Sequence, residues 1–336
     1  MRNIIIVLVL SALALGSGVP AYPQAKVPVK LAQAVDVLAF APLYVARSKG
    51  FFTEEGLDVE VQVMESGVIA TQALVGGSVD MIVVAAPELV RGVAAGLDII
   101  AVHFMSGMTQ QFTFRKEYAE RKGVTAKSPL SDRIAALKGA NIGITRPGAA
   151  SDTFARWILK KGGIDPVKDV NIVSIGGSGA QLAALKGGRT DAFLLSPPGG
   201  QKAEKEGYGV VLIPPADIPE FKNFWFIGLI VKRSYADKNP QVVAKAVRAL
   251  AKANNFVLDN IEETKKIVRT FFPKVDPALV DASMDAIRPL IARDGKMSRE
   301  LWENTIRLIE ETGRLPKPLS PDEGVLWTNK YLEGKI

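Results

Sequence analysis

The chain has 336 residues, 48% of them hydrophobic and 23% charged, which is enough for two packed units and far from the composition of a disordered chain. It contains no cysteine, so disulfides, thiolate metal sites and lipid attachment through sulfur are all excluded. The net charge of +7 comes from Lys and Arg residues that are scattered rather than run together. With no basic stripe and no interleaved aromatics, nucleic acid is not an expected partner, while a modest positive field would help gather anions.

At the start, Arg2 is followed by an apolar run over 4–15 and then by small residues. This reads as an export signal over 1–25, with Val19-Pro20-Ala21 as a cleavage site and Ala25 as a second candidate. The run is about 12 residues, against the roughly 20 that a spanning helix needs. The expected product is a soluble, monomeric, periplasmic protein rather than a lipoprotein.

An internal repeat organises the rest of the chain. Gly76-Gly77-Ser78-Val79-Asp80, an apolar strand and Ala85-Ala86-Pro87 recur as Gly187-Gly188-Arg189-Thr190-Asp191, a second apolar strand and Ser196-Pro197-Pro198. Each copy alternates strands and helices in the pattern of an open parallel sheet covered by helices. Expected strands are 29–35, 57–64, 79–84 and 99–104 in the first copy, and 140–145, 171–175, 190–195 and 209–213 in the second. Pro42 and Pro87 mark helix starts, and Gly50, Gly76, Gly162 and Gly187 mark stops. Asp80 and Asp191, like the glycines beside them, read as turn chemistry.

After Pro215 comes an aromatic, strand-like run over 223–231, and from Pro240 a series of helices. The first repeats Val243, Val247, Leu250 and Phe256 at helical spacing. The expected fold is α/β, two α/β lobes with a helical C-terminal extension on the first. Lobe 1 is 26–108 with 229–336, lobe 2 is 112–226, and the hinge lies near 109–115 and 223–231.

Open α/β sheets bind ligands beyond the carboxyl ends of their strands, where helix N-termini present N–H groups. The repeat supplies such loops twice. Candidate ligand contacts in them are Asp36, Phe40, Ser66, Gly67 and Ala86 in the first copy. In the second they are Arg146, Ala149, Ser151, Gly177, Ser178, Ser196 and Pro197, with Trp225 from the aromatic run. The Ser and Gly positions let backbone and hydroxyl groups approach a carboxylate or sulfonate. Arg146 reads either as a charged contact or as a surface arginine at a strand end. Phe40, Phe224 and Trp225 could wall a cleft or pack in a core. Asp36 could hold an ammonium group, and Glu88 suits the first turn of a helix. A zwitterionic ligand satisfies both signs.

The segments Ala41-Pro42-Leu43-Tyr44-Val45-Ala46, Lys49-Gly50-Phe51-Phe52 and Glu55-Gly56-Leu57-Asp58-Val59 resemble the opening of periplasmic solute-binding proteins of the nitrate, sulfonate and taurine import class. Ala184-Leu185-Lys186-Gly187-Gly188, Asp191-Ala192 and Ser196-Pro197-Pro198 are similar to that family's second-lobe pattern. The resemblance implies the periplasmic-binding-protein type II fold, a Venus-flytrap closure around one small-molecule ligand and docking on a membrane permease with its cytoplasmic ATPase. It implies no catalytic residue, cofactor or metal. Biosynthetic enzymes of the pyrimidine and menaquinone pathways share the scaffold and are the alternative, as is an exported ligand sensor. The pyrimidine enzymes depend on a cysteine-rich segment and a histidine; here there is no Cys, and the single His103 falls in an expected strand.

Overall fold

The computed structural model describes residues 25–313 and 315–335. The leader and its Val19-Pro20-Ala21 site lie outside the described residues, and Ala25 is exposed ahead of the first strand. Among the described residues no helix is long and apolar enough to cross a membrane.

Among the described residues, ten strands form two five-stranded sheets. In chain order they are β1 Val27–Ala34, β2 Leu57–Met64, β3 Met81–Ala85, β4 Ile99–Ser106, β5 Gln111–Arg115, β6 Asn141–Ile144, β7 Asn171–Ser174, β8 Ala192–Leu195, β9 Gly209–Ile213 and β10 Ile227–Lys232. The first sheet has the order β2-β1-β3-β10-β4 and the second β7-β6-β8-β5-β9. The repeat of the sequence is thus a repeat of topology.

The sheets are mixed, which corrects the all-parallel expectation. In the first, β10 runs antiparallel between β3 and β4; in the second, β5 runs antiparallel between β8 and β9. Each is the fifth strand of its own copy, and each is inserted into the other copy's sheet. The segments read as hinge crossings are therefore largely internal strands, with Phe112, Phe114, Leu229, Ile230 and Val231 buried. Internal strands buried on both faces read as near-continuous apolar runs, as in β3 and β8.

Two turns show the repeat at atomic level. Asp80 N–H donates to the Lys30 carbonyl while its Oδ2 accepts from Lys30 N–H at 2.8 Å. Asp191 makes the same pair of bonds with Asn141, the Oδ2 contact at 3.0 Å. The aspartates thus tie the start of β3 to β1 and the start of β8 to β6. The glycine pairs before them end helices, and it is the second of each, Gly77 at φ +77° and Gly188 at φ +71°, that takes the left-handed conformation.

The C-terminal helices bury apolar stripes against the first sheet's helices. Pro240–Asp259 packs on Ala41–Ser48, Phe51–Glu54 and β4, with Val243, Val247, Leu250 and Val257 buried. Each such side chain contributes roughly 1.5–3 kcal/mol. Phe256 is only half-buried, edge-on to Phe51, and Val257 takes the core position expected for it. Arg299–Glu310 touches helices on both sides, Ala86–Ala94 and Ala150–Lys161. Just beyond it, Glu311 accepts from Trp157 Nε1 at 2.7 Å and the Thr312 carbonyl accepts from Lys160 Nζ at 2.9 Å.

Candidate ligand cleft

Loops at the carboxyl ends of β1, β2, β3, β6 and β8 meet around a small cavity of about 40 Å³, room for about three water-sized groups. Phe40, Gly67, Ala149, Ser151 and Ser196 line it, together with Glu88, Gln110, Thr145 and Phe226. A wider cavity of about 440 Å³ lies beside it, lined by Asp36, Gly177 and Ser178 with Glu65 and Lys202. Val35 borders both. It has φ +36°, a conformation costly for a β-branched residue. The Val35 carbonyl accepts from Gln33 Nε2, which also donates to the Tyr44 hydroxyl, and Tyr44 donates to Asp36 Oδ1 and the Val37 carbonyl. That buried network fixes the loop. Burial pushes the Asp36 pKa up, opposed in part by Tyr44 and Arg47.

The two sides are bonded across the cleft. Leu38 N–H donates to the Pro197 carbonyl at 2.8 Å, Ser178 Oγ to the Asp36 carbonyl at 3.0 Å and Arg91 Nη1 to the Gly148 carbonyl at 2.5 Å. Ala150 N–H, at the start of helix Ala150–Lys161, donates to Glu88 Oε1 at 3.1 Å. Glu88 therefore does more than sit in the first turn of its own helix: it occupies the N-terminus of a helix on the opposite side. Burial pushes its pKa up to about 7. A Cβ on Gly67 would lie 2.3 Å from Glu88 Oε1, so the missing side chain at 67 is what lets the carboxyl pack there.

The serines are engaged within the protein. Ser66, fully buried, caps helix Gly67–Gly76 by accepting from Ile69 N–H at 3.2 Å. Ser151 Oγ accepts from Thr145 N–H at 2.9 Å and lies 3.0 Å from the Thr145 hydroxyl, and Ser196 pairs with Thr109 at 2.7 Å. Ala86 is buried and gives its N–H to the Phe226 carbonyl at 2.9 Å. Pro197 lies beside the inner cavity and lines a separate apolar groove of about 500 Å³.

Arg146 is exposed and borders neither of the two cleft cavities. Trp225 is fully buried away from the cleft, stacked on Trp302 at 4.9 Å and on Phe104 at 6.2 Å. Its neighbour Phe226 faces the cavity instead, because successive residues of an extended run point to opposite sides. Sequence reasoning put the aromatic run at a crossing but had no marker for which parity looked inward. Gln110 and Thr145 carried no signal beyond lying at strand ends.

His103 is fully buried in β4 and burial lowers its pKa to about 4, so it offers no titratable imidazole to the cleft. Asp152 is committed to structure, accepting from Gly148 N–H at 2.8 Å and pairing with Arg156 at 2.5 Å. Among the described residues there is no group of three or more His, Cys, Asp or Glu side chains placed to hold a metal ion.

Two mixed α/β sheets, with a cleft where the carboxyl ends of their strands face each other, define the fold of periplasmic binding proteins. The alkanesulfonate-binding protein SsuA of Xanthomonas axonopodis pv. citri, solved with MOPS, superposes with a TM-score of 0.71 at 16% identity over 88% of this chain and 96% of its own. The periplasmic nitrate-binding protein NrtA of Synechocystis PCC 6803 does so with a TM-score of 0.65 at 22% identity, over 77% and 70%. The model of the NMT1-like family matches residues 24–271, and the chain belongs to that family. YtlA of Bacillus subtilis (strain 168) is 25% identical over 315 residues, 92% of this chain and 89% of that one.

Proposed function

We propose that the chain is the extracytoplasmic solute-binding component of an ABC-type importer. It is exported by its leader and captures a small organic anion or zwitterion between two lobes, then delivers it to a membrane permease worked by a cytoplasmic ATPase. The observation that carries this reading is the meeting of loops from both sheets around a small cavity, bridged by hydrogen bonds from Leu38, Arg91, Ala150 and Ser178. Such bonds exist only when the lobes are together, so they are the differential contacts that a closing motion needs. The names of SsuA and NrtA, as sulfonate- and nitrate-binding proteins, support small-solute capture in a cleft of this kind. Because β5 and β10 are anchored inside sheets, the flexing is confined to 107–110 and the stretch ahead of Ile227.

A thermal-shift screen against sulfonates, taurine, amino acids, aromatic acids, pyrimidines and inorganic anions tests the reading. A ligand at about 100 times its dissociation constant stabilises the fold by about 2.7 kcal/mol. One tight solute recovered unchanged supports capture; consumption of a hit during incubation refutes it in favour of an enzyme.

A further inference from the structure

The polar groups of the inner cavity mostly bond one another: Thr145 with Ser151, Ser196 with Thr109, and Glu88 Oε1 with Ala150 N–H. Two buried side-chain atoms among the lining residues have no partner, Glu88 Oε2 and the carbonyl oxygen of Gln110. Both residues are 7% exposed, and both atoms are hydrogen-bond acceptors when the Glu88 carboxyl is ionised. Among the described residues lining this cavity, Glu88 is also the only ionisable one.

An unpaired buried acceptor costs roughly 1–3 kcal/mol, and more when charged. A ligand that belongs here must therefore bring donors. Resting on the capture reading above, we propose that the solute is recognised through a nitrogen group with at least two N–H donors, an ammonium, amidinium or amino group held by Glu88 and Gln110. A bare oxyanion such as nitrate or sulfate is rejected.

With the Glu88 carboxyl ionised, an oxyanion would bring a second negative charge against a desolvated carboxylate and further acceptors against both orphan oxygens, which disfavours it twice, whereas a cationic nitrogen group favours that ionised form over the protonated one. The volume of about 40 Å³ suits a head group of about three heavy atoms, and any remainder of the solute must pass Val35 into the wider cavity. Of the two signs that a zwitterion satisfies, this places the positive end inward. Gly67 belongs to the same device, since it leaves the space that the Glu88 carboxyl fills.

The test is calorimetric titration of the purified chain at about pH 8.5, where the Glu88 carboxyl, with its pKa of about 7, is ionised, with matched pairs that differ in one group: taurine against isethionate, β-alanine against propionate, and benzylamine against benzyl alcohol, with sodium nitrate and sodium sulfate alongside. The expected result is that the nitrogen member of at least one pair binds at least tenfold more tightly than its partner. Glu88→Gln should then remove at least tenfold of that affinity, and Gly67→Ala, which displaces the carboxyl without deleting it, should weaken the same ligand. Melting curves of both variants establish that they fold. Tight binding of nitrate, sulfate or isethionate, or an affinity unmoved by Glu88→Gln, overturns the assignment and leaves solute capture standing. Binding by no member of the set overturns both.

Discussion

Glu88 makes the stability of the ligand-free protein depend on pH in a direction opposite to that of most carboxylates. Burial raises its pKa from the 4.5 of a free glutamate to about 7, so the folded protein holds a proton that the unfolded chain gives up. Below pH 4.5 the group is protonated in both states and contributes no difference. Between 4.5 and 7 stability falls as pH rises, and above 7 the full cost, about 3 kcal/mol, is in place. Its own backbone N–H, the Ala150 N–H from the opposite side and Arg91 on the same helix soften this cost; among the described residues no other ionisable side chain lines the cavity. Glu88→Gln keeps the shape and removes the titration. Urea unfolding from pH 4.5 to 8.5 should therefore show the variant gaining on the parent as pH rises, by up to about 3 kcal/mol. Opening of the cleft relieves the same cost, so X-ray scattering of the parent should show a larger radius of gyration at pH 8.5 than at pH 5. Parallel unfolding profiles together with a pH-independent radius would refute the reasoning.

Ser66→Ala should lower stability by about 1 kcal/mol through loss of the Ile69 cap, measured as a shift in urea midpoint with an unchanged slope. Asp191→Ala should cost more than Asp80→Ala, because Asp191 also accepts from Arg115 at 3.1 Å and from the Asn141 side chain at 3.0 Å; the difference should be about 1–3 kcal/mol by chemical denaturation. Burial opposes the Asp191 charge, but those bonds hold its pKa below that of a free aspartate. Its contribution is therefore present above the unfolded pKa of 3.8 and is lost as pH falls through the depressed folded value. Trp225→Ala should destabilise by about 3–5 kcal/mol. Arg146→Ala should leave stability within about 0.5 kcal/mol and solute affinity unchanged, and a loss of binding on that substitution would return Arg146 to the site.

What the sequence showed and what it concealed divide along physical lines. Strands and helices of the two copies were legible because apolar period, proline starts and glycine stops agree at each boundary, and Asp80 and Asp191 betrayed the duplication by sitting at the same turn. The antiparallel partners were not legible. Gln111–Arg115 and Ile227–Lys232 are ordinary apolar runs whose sheet membership depends on which gap they fill, and nothing local to them records that. Trp225 and Phe226 differ only in parity along an extended segment, and parity is set by contacts with Trp302 and Phe154 on other elements. Glu88 illustrates a further limit. A carboxylate in a helix's first turn gives the same signal whether it serves its own helix or reaches across a cleft to another, and here it does both. The serines at the loop ends had equally good uses inside the protein, as caps and as partners for Thr109 and Thr145.

The exchange of fifth strands bears on how such a molecule can be divided. A fragment ending after Ser106 would carry a sheet with an open slot between its third and fourth strands, and a fragment beginning at Asn141 would have the same slot. Neither is a self-sufficient domain, however complete its helices. Two copies of one such half, each retaining its trailing strand, could fill each other's slot reciprocally and bury the same backbone groups as a symmetric pair. The cleft would then lie on the dyad between identical partners. Joining the copies in one chain preserves that arrangement while freeing the two faces of the cleft to diverge, so that a carboxylate at position 88 can oppose a helix N-terminus at position 150 with no counterpart required at the mirror positions.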